Sequence, residues 1–363
     1  MIRHWYKNAV IIEASPLLLP RVLILFSINE TLILYQFMKT KIICVLFICA
    51  SIRTMAQEKE APMQTVVKAV TDKFPTTRIL DVQYEQLGPT NFDSKLFGDR
   101  YERGRIDQHD RLKVAINVPF FATASKRFVV TGSLRYKYET YDFGNVYNYA
   151  TGSNYTKEKE EFHYFAGAVS ATYMTKLFNK PVIYNATATV DGNQDNVQRV
   201  KGFVTANIVI KRTANTTITV GALAMLDPSS IIPVTPLFTL NHKFEDSKWD
   251  LDFILPQRLL FRRQLLENGR ISFGTELNSE SFYLNLNASN LKGIYELNQL
   301  ELKSGITYEY RIAPQIIGFL KGGVNNVLST RVTERGERTS KYIYDHKEDA
   351  QGYFRFGISY NPF

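Results

Sequence analysis

A histidine beside carboxylates is the side-chain pairing best suited to chemistry, and the sequence holds one tight instance: Asp107, His109 and Asp110. Such a trio could ligate a metal or supply a general base to a hydrolase. It lies in a polar stretch where solvated charge is ordinary, and no motif places a serine nucleophile near it, so it reads as a solvated cluster. His163, His242 and His346 stand apart from one another. The run Asp191-Gly-Asn-Gln-Asp195-Asn begins like a calcium loop, with oxygen ligands at its first, third and fifth positions. Asn196 then stands where that loop needs glycine, and Gly202 where it needs glutamate, so the run reads as a hairpin loop. Lys321-Gly-Gly lacks the spacing of a phosphate loop and reads as a close approach or bulge within a strand. No catalytic, metal or cofactor site is assigned.

The remaining charged residues gain meaning from their period. Between residues 128 and 139, Phe128, Val130, Leu134, Tyr136 and Tyr138 share one face, while Arg135, Lys137 and Glu139 share the other. Between 300 and 311, Leu300, Leu302, Ile306, Tyr308 and Tyr310 oppose Glu301, Lys303, Glu309 and Arg311. Leu112, Val114, Ile116 and Val118 alternate with Arg111 and Lys113. A period of two is the mark of a strand with two unlike faces. These runs are about 10–12 residues long, longer than the usual soluble strand and sufficient for a tilted strand to cross a membrane. In a membrane barrel the apolar face meets lipid and the polar face lines the lumen. The candidate lumen-lining residues are therefore Lys113, Arg135, Lys137, Glu139, Lys201, Glu301, Lys303, Glu309, Arg311 and Arg355. Mixed charge of this kind either sets a field for permeating ions or pairs across the lumen and closes it.

Composition agrees with a β protein. The 363 residues are 45% hydrophobic and include 21 Tyr and 24 Phe but only 2 Trp. A mean hydropathy of −0.18 argues against a bundle of membrane helices. Phe120, Phe121 and Phe128 flank one short turn, and Tyr138, Tyr141 and Phe143 mark the other strand end, as interfacial girdles would.

The N-terminal region reads as a targeting signal. Lys39 and Lys41 precede an apolar run from 42 to 52, and Thr54-Met55-Ala56 supplies a cleavage site. The expected organisation is an extension from an upstream start (1–37), a signal peptide (38–56), a polar segment (57–76) and the barrel (77–363). Cys44 and Cys49 both fall in the signal peptide, so the exported chain would have no thiol. Residues 1–56 carry six Lys/Arg and two Asp/Glu, which leaves the exported chain at a mild +5. No basic run points to nucleic acid.

Connections alternate between short and long, as in outer-membrane barrels. Short turns fall near 122–126, 177–180, 212–215, 245–248, 267–269 and 313–314. Longer polar links fall near 88–110, 142–160, 191–198, 227–233, 288–296 and 329–349. The fold expected is all-β: an antiparallel up-and-down transmembrane barrel of about 12–14 strands with a short N-terminal helical or disordered extension. The doubt in strand number lies in residues 249–264, which read as a hairpin at Pro256-Gln257 or as one bent strand. The last strand alternates Phe354, Phe356, Ile358 and Tyr360, and the chain ends at Phe363, out of phase with Tyr360.

The signal ending Met-Ala-Gln, the long strands, Ile231-Ile-Pro-Val-Thr-Pro-Leu237 and Phe253-Ile-Leu-Pro256 together resemble a family of uncharacterised outer-membrane barrels of Bacteroidetes-type bacteria. That resemblance implies the outer membrane of a Gram-negative cell and carries no activity with it. The expected partners are outer-membrane lipid and, through the terminal strand ending at Phe363, the barrel assembly machinery. The leading reading is a pore or transporter for a small-solute cargo. The alternatives are a structural or interaction barrel with surface-binding loops, and a barrel-embedded hydrolase.

Overall fold

The computed structural model describes residues 62–227, 234–288 and 291–362. The expected leader at 1–56, the first residues of the polar segment, Ile231-Ile-Pro and Phe363 lie outside them. Helix α1 (Pro62–Lys73) and a 3-10 turn (Pro75–Thr77) precede the strands. These are β1 (Leu80–Leu87), β2 (Thr90–Leu96), β3 (Asp99–Ala122), β4 (Phe128–Phe143), β5 (Asn145–Asn148), β6 (Ser153–Thr156), β7 (Glu160–Leu177), β8 (Lys180–Gly192) and β9 (Val197–Arg212). They continue as β10 (Thr216–Met225), β11 (Val234–Lys243), β12 (Trp249–Leu255), β13 (Arg258–Leu265), β14 (Gly269–Ala288), β15 (Leu291–Ala313), β16 (Ile316–Glu334), β17 (Tyr344–Glu348) and β18 (Gln351–Tyr360).

Fourteen of these strands close an antiparallel barrel: β1, β3, β4, β7 to β16, and β18. The seam is shut by β1, which pairs with β3 on one side and β18 on the other. Closure leaves no open edge, the condition for a sheet to cross a bilayer. Residues 249–264 form the hairpin β12–β13, with its turn at Pro256-Gln257.

Two expected links are largely strand. In 88–110, β2 forms a hairpin with the first half of β3, and in 329–349, β17 bridges β16 to β2. They carry the barrel wall beyond the mouth opposite the N-terminal helix, termed the outer mouth, the helix end being the inner mouth. In 142–160, β5 and β6 form a small hairpin on β3. The period-two apolar signal fades here because the buried face of these extensions carries polar residues, Thr90, Ser94, Glu102 and His346, beside Phe92 and Tyr344. The turns at 122–128, 177–180, 243–249, 265–269 and 313–316 gather at the inner mouth, with both ends of the described chain.

The outer face is apolar. Leu134, Val169, Ile306, Leu320, Leu328 and Ile358 are all exposed. A belt of this size on a closed sheet is a lipid-facing surface, because a monomer in water does not sustain it. Ile306→Arg, near mid-depth in the belt, is expected to destabilise the folded barrel by about 2–4 kcal/mol. Urea unfolding from lipid vesicles would measure this, and an unchanged midpoint would place Ile306 outside the membrane band.

Lys321-Gly-Gly marks a close backbone approach. A Cβ on Gly323 would stand 2.0 Å from the Ser304 carbonyl oxygen, and one on Gly305 would stand 2.3 Å from that of Gly322.

Candidate functional site

Alternation puts Asp110 on the opposite face from His109, and a register shift between Ile106 and Gln108 turns Asp107 away as well, so the trio Asp107, His109 and Asp110 does not come together. His109 turns inward and its Nε2 meets Glu139. Asp107 pairs at the surface with Arg105, and Asp110 accepts from Tyr84 and Gln108. No grouping of His, Cys, Asp and Glu able to hold a metal occurs among the described residues. In the 191–196 loop, Asn193 Oδ1 accepts the amide protons of Asp195 and Asn196, an ordinary loop geometry.

The lumen holds three features. The first is a buried charge network. Arg111, from β3, donates to Glu85 of β1 at 2.9 Å and, with both terminal nitrogens, to Glu301 of β15 at 3.0 and 3.2 Å. It also reaches Glu139 of β4. Lys303 lies 3.0 Å from Glu301 and also meets Glu85, and Arg355 donates to Glu85 at 2.6 Å. Arg111, Glu139, Glu301 and Lys303 have no more than 1% of their surface exposed, so every charge here depends on its neighbours. Next to the network, Lys113 and Lys137 share Glu280 of β14, and Lys321 meets Glu276.

The second feature is the hairpin formed by the outer halves of β14 and β15. A strand with one buried face cannot bury three consecutive side chains, yet Phe282, Tyr283 and Leu284 are 2%, 3% and 3% exposed. The hairpin has folded inward. Phe282 packs on Phe162 of β7, at 5.7 Å between ring centroids, within a cluster that includes Leu286, Leu297, Val332 and Tyr344. The other face of β14 turns to β8, where Tyr283 donates to Asp191 at 2.7 Å. Glu296 of β15 accepts from Arg199 at 2.8 Å and from Lys201 at 2.9 Å, both on β9. The outer end of the lumen is thus sealed by an apolar cluster on one side and a polar seam on the other.

The third feature is α1 with the turn after it. Asp72 pairs with Arg270, Lys73 reaches Asp252 and Asn241, and the Lys73 carbonyl accepts from Arg258. Arg78 is fully buried and donates to the Thr71 carbonyl, Ser359 and Glu309. Asn117 holds the carbonyls of Thr76 and Arg78. Burial alone would raise the Asp72 carboxyl, but the Arg270 guanidinium outweighs it and holds the group below the ordinary carboxylate value. These contacts lie on β3, β11 to β15 and the β18 end. A polar cavity of about 490 Å³ beside them is lined by Asp72, Arg262, Arg270 and Glu309.

The wall from β7 to β10 is different. Ser170, Thr172, Asn185, Thr187, Thr205 and Asn207 share the inward face with Asp191 and are only partly buried. Ser170 and Thr187 bond to each other at 2.7 Å, and Asn185 donates to Thr172 at 2.9 Å. Together they form an uncharged vestibule wall facing the charged one.

Of the candidate lumen residues, Glu139, Glu301, Lys303 and Arg355 lie in the buried network. Lys113 and Lys137 lie at its margin, and the exposed Arg135 shares their face of the sheet. Lys201 lies in the outer seam. Glu309 binds Arg78 and Arg270 near the inner mouth, and Arg311 lines the cavity there. The structure adds Glu85, Arg111, Glu280 and Glu296. Arg111 stood on the polar face of its strand, but its partners come from distant strands.

The family model described as a domain of unknown function, DUF6268, matches residues 110–361, from within β3 to the end of β18. The chain belongs to the DUF6268 family. No curated protein matches the sequence. Among solved structures, the DUF6268 chain is similar to an outer membrane channel from Pseudomonas putida F1, with 9% identity, a TM-score of 0.34, and coverage of 78% of this chain and 96% of that one. It is also similar to a FadL homologue from Pseudomonas aeruginosa, with 9% identity, a TM-score of 0.29, and coverage of 78% and 90%. The outer membrane phospholipase A from Escherichia coli matches with 9% identity, a TM-score of 0.28, and coverage of 77% and 91%.

Proposed function

We propose that the protein is an outer-membrane transporter of small solutes, in the outer membrane of a Gram-negative cell, with its lumen closed at the outer end in this conformation. The observation that carries the reading is the asymmetry of the lumen. A partly buried wall of hydroxyl and amide side chains runs from the inner mouth up to the Glu296 seam. That seam consists of side-chain contacts from β14 and β15 to β8 and β9, with no backbone ladder across it. Parting it requires breaking a few charge-assisted hydrogen bonds, each of which contributes about 1.5–3 kcal/mol. On this reading residues 38–56 are a removed signal peptide, the inner mouth faces the periplasm, and the terminal strand engages the assembly machinery.

The test is single-channel recording in planar bilayers. The parent barrel is expected to stay closed, and the Glu296→Ala/Tyr283→Ala variant to show stepwise conductance. Silence from that variant, in a barrel that still migrates in a heat-modifiable way, would reject the transport reading.

The interaction reading is favoured by a different observation: the surface loops are structured. Tyr147 and Tyr149 stack edge-on at 5.2 Å on the β5–β6 hairpin, and Arg103 lies over both rings. Deletion of residues 145–156 with transport intact but surface binding lost would support it. The hydrolase reading gains no geometry. Among the described residues, His109 bonds to Glu139, His163 to Tyr136, His242 to Thr216, and His346 to Tyr344 and Glu348, with no serine in those contacts.

A further inference from the structure

The inward charges at the edge of the vestibule do not balance. Lys113 and Lys137 are direct cross-strand neighbours on β3 and β4, and Arg135 follows Lys137 on the same face of β4. Like charges directly opposite each other destabilise a sheet. One carboxylate, Glu280, serves both lysines, and it is more deeply buried than they are: 5% of its side chain is exposed, against 22% and 15%. Glu139, the nearest other acid on β4, is taken up by Arg111 and His109. Arg135 is exposed, and the partly buried inward residues Ser170, Thr172, Asn185, Thr187, Thr205 and Asn207 of the adjoining wall carry hydroxyls and amides. Asp191, the acid in the same row as Arg135, is 2% exposed and is taken up by Tyr164, Tyr283 and Lys201. Glu85 and Glu139 also act on Lys113 and Lys137, but with Arg111, Lys303 and Arg355 counted as well, six cations face the four carboxylates Glu85, Glu139, Glu280 and Glu301, which leaves the accessible surface positive. A low-dielectric wall strengthens such a field at the point where a solute must pass.

We infer that Lys113, Arg135 and Lys137 form a selectivity site for a small hydroxylated anion, such as a carboxylate-bearing polyol, and that the Ser170–Thr187 and Thr172–Asn185 rows, further along the same path, take its hydroxyls as it passes. The inference rests on the transport reading. It explains why adjacent like charges are kept at a position where paired residues would be more stable: the site trades local stability for attraction of the passing anion.

The experiment uses the opened Glu296→Ala/Tyr283→Ala barrel in a bilayer under a potassium chloride gradient. The reversal potential is expected to take the sign of chloride permeation. Lys113→Gln/Arg135→Gln/Lys137→Gln, added to the opened barrel, is expected to move it toward zero with conductance retained. In proteoliposomes, gluconate uptake should exceed sorbitol uptake, and the triple variant should remove that difference. A cation-selective or unselective current from the opened barrel, or selectivity unchanged by the triple variant, would overturn the anion site and leave transport standing. Absence of any current from the folded opened barrel would overturn the transport reading, and the site with it.

Discussion

Arg111→Ala is expected to destabilise the barrel by about 3–5 kcal/mol, the cost of removing one partner from a buried charge group. The guanidinium touches Glu85, Glu139 and Glu301, and Lys303, Arg355 and His109 cannot replace it at all three. Without it, Glu139 keeps only the imidazole of His109 and the hydroxyl of Tyr141. Folding would then require protonating a carboxylate or admitting water, and both carry a free-energy cost. Arg111→Lys keeps the charge but loses the forked contact to Glu301, so a smaller loss is expected. Urea unfolding from vesicles would give both values. Equal stability of Arg111→Ala and the parent would show that the network is hydrated and contributes little.

Phe282→Ala is expected to cost about 3–5 kcal/mol as well, for a different reason: a large aromatic is removed from a packed cluster. The ring is 2% exposed, touches Phe162 on the far wall of the barrel, and lies under the ammonium of Lys137 at 4.6 Å. The loss should be accompanied by faster proteolysis within residues 280–301, because the inward fold of the hairpin depends on this contact. Phe282→Leu fills much of the space and should recover most of the stability. If Phe282→Ala left both stability and protease resistance unchanged, the hairpin would not be held by its apolar side. Since six large apolar side chains on this hairpin are buried, swinging it fully outward would expose on the order of 10 kcal/mol of apolar surface. That magnitude decides between two openings: the polar seam at Glu296 parts, and the apolar side stays packed.

Much of the barrel was legible in the chain. Wherever a strand has lipid on one side and lumen on the other, period two is imposed by solvent, and residues 128–139 and 300–311 display it openly. The links at 88–110 and 329–349 read as polar in sequence and are strand in the structure. In β2, the first half of β3 and β17 burial still alternates, but the buried face carries Thr90, Ser94, Glu102 and His346 beside Phe92 and Tyr344, so the apolar alternation that marks a strand disappears. The trio Asp107, His109 and Asp110 is a cluster in sequence only: a strand sends Asp110 to the face opposite His109, and a bulge between Ile106 and Gln108, which no local pattern marks, turns Asp107 away too.

The sequence by itself determined that this chain makes long two-faced strands joined by alternating turns, and which charges share the inner face, because both depend on local period and on the solvent each face meets. Only the tertiary structure decided what those charges do. Arg111 finds Glu301 across 190 residues, and Phe282 finds Phe162 on the opposite wall. Closure brings strands distant in sequence within bonding reach, and no local pattern records which inward residues will stand opposite one another. The partly buried hydroxyl wall and the unbalanced cations beside it follow from that same closure: where inward side chains meet across the lumen the barrel is shut, and where they do not, it keeps room for a solute.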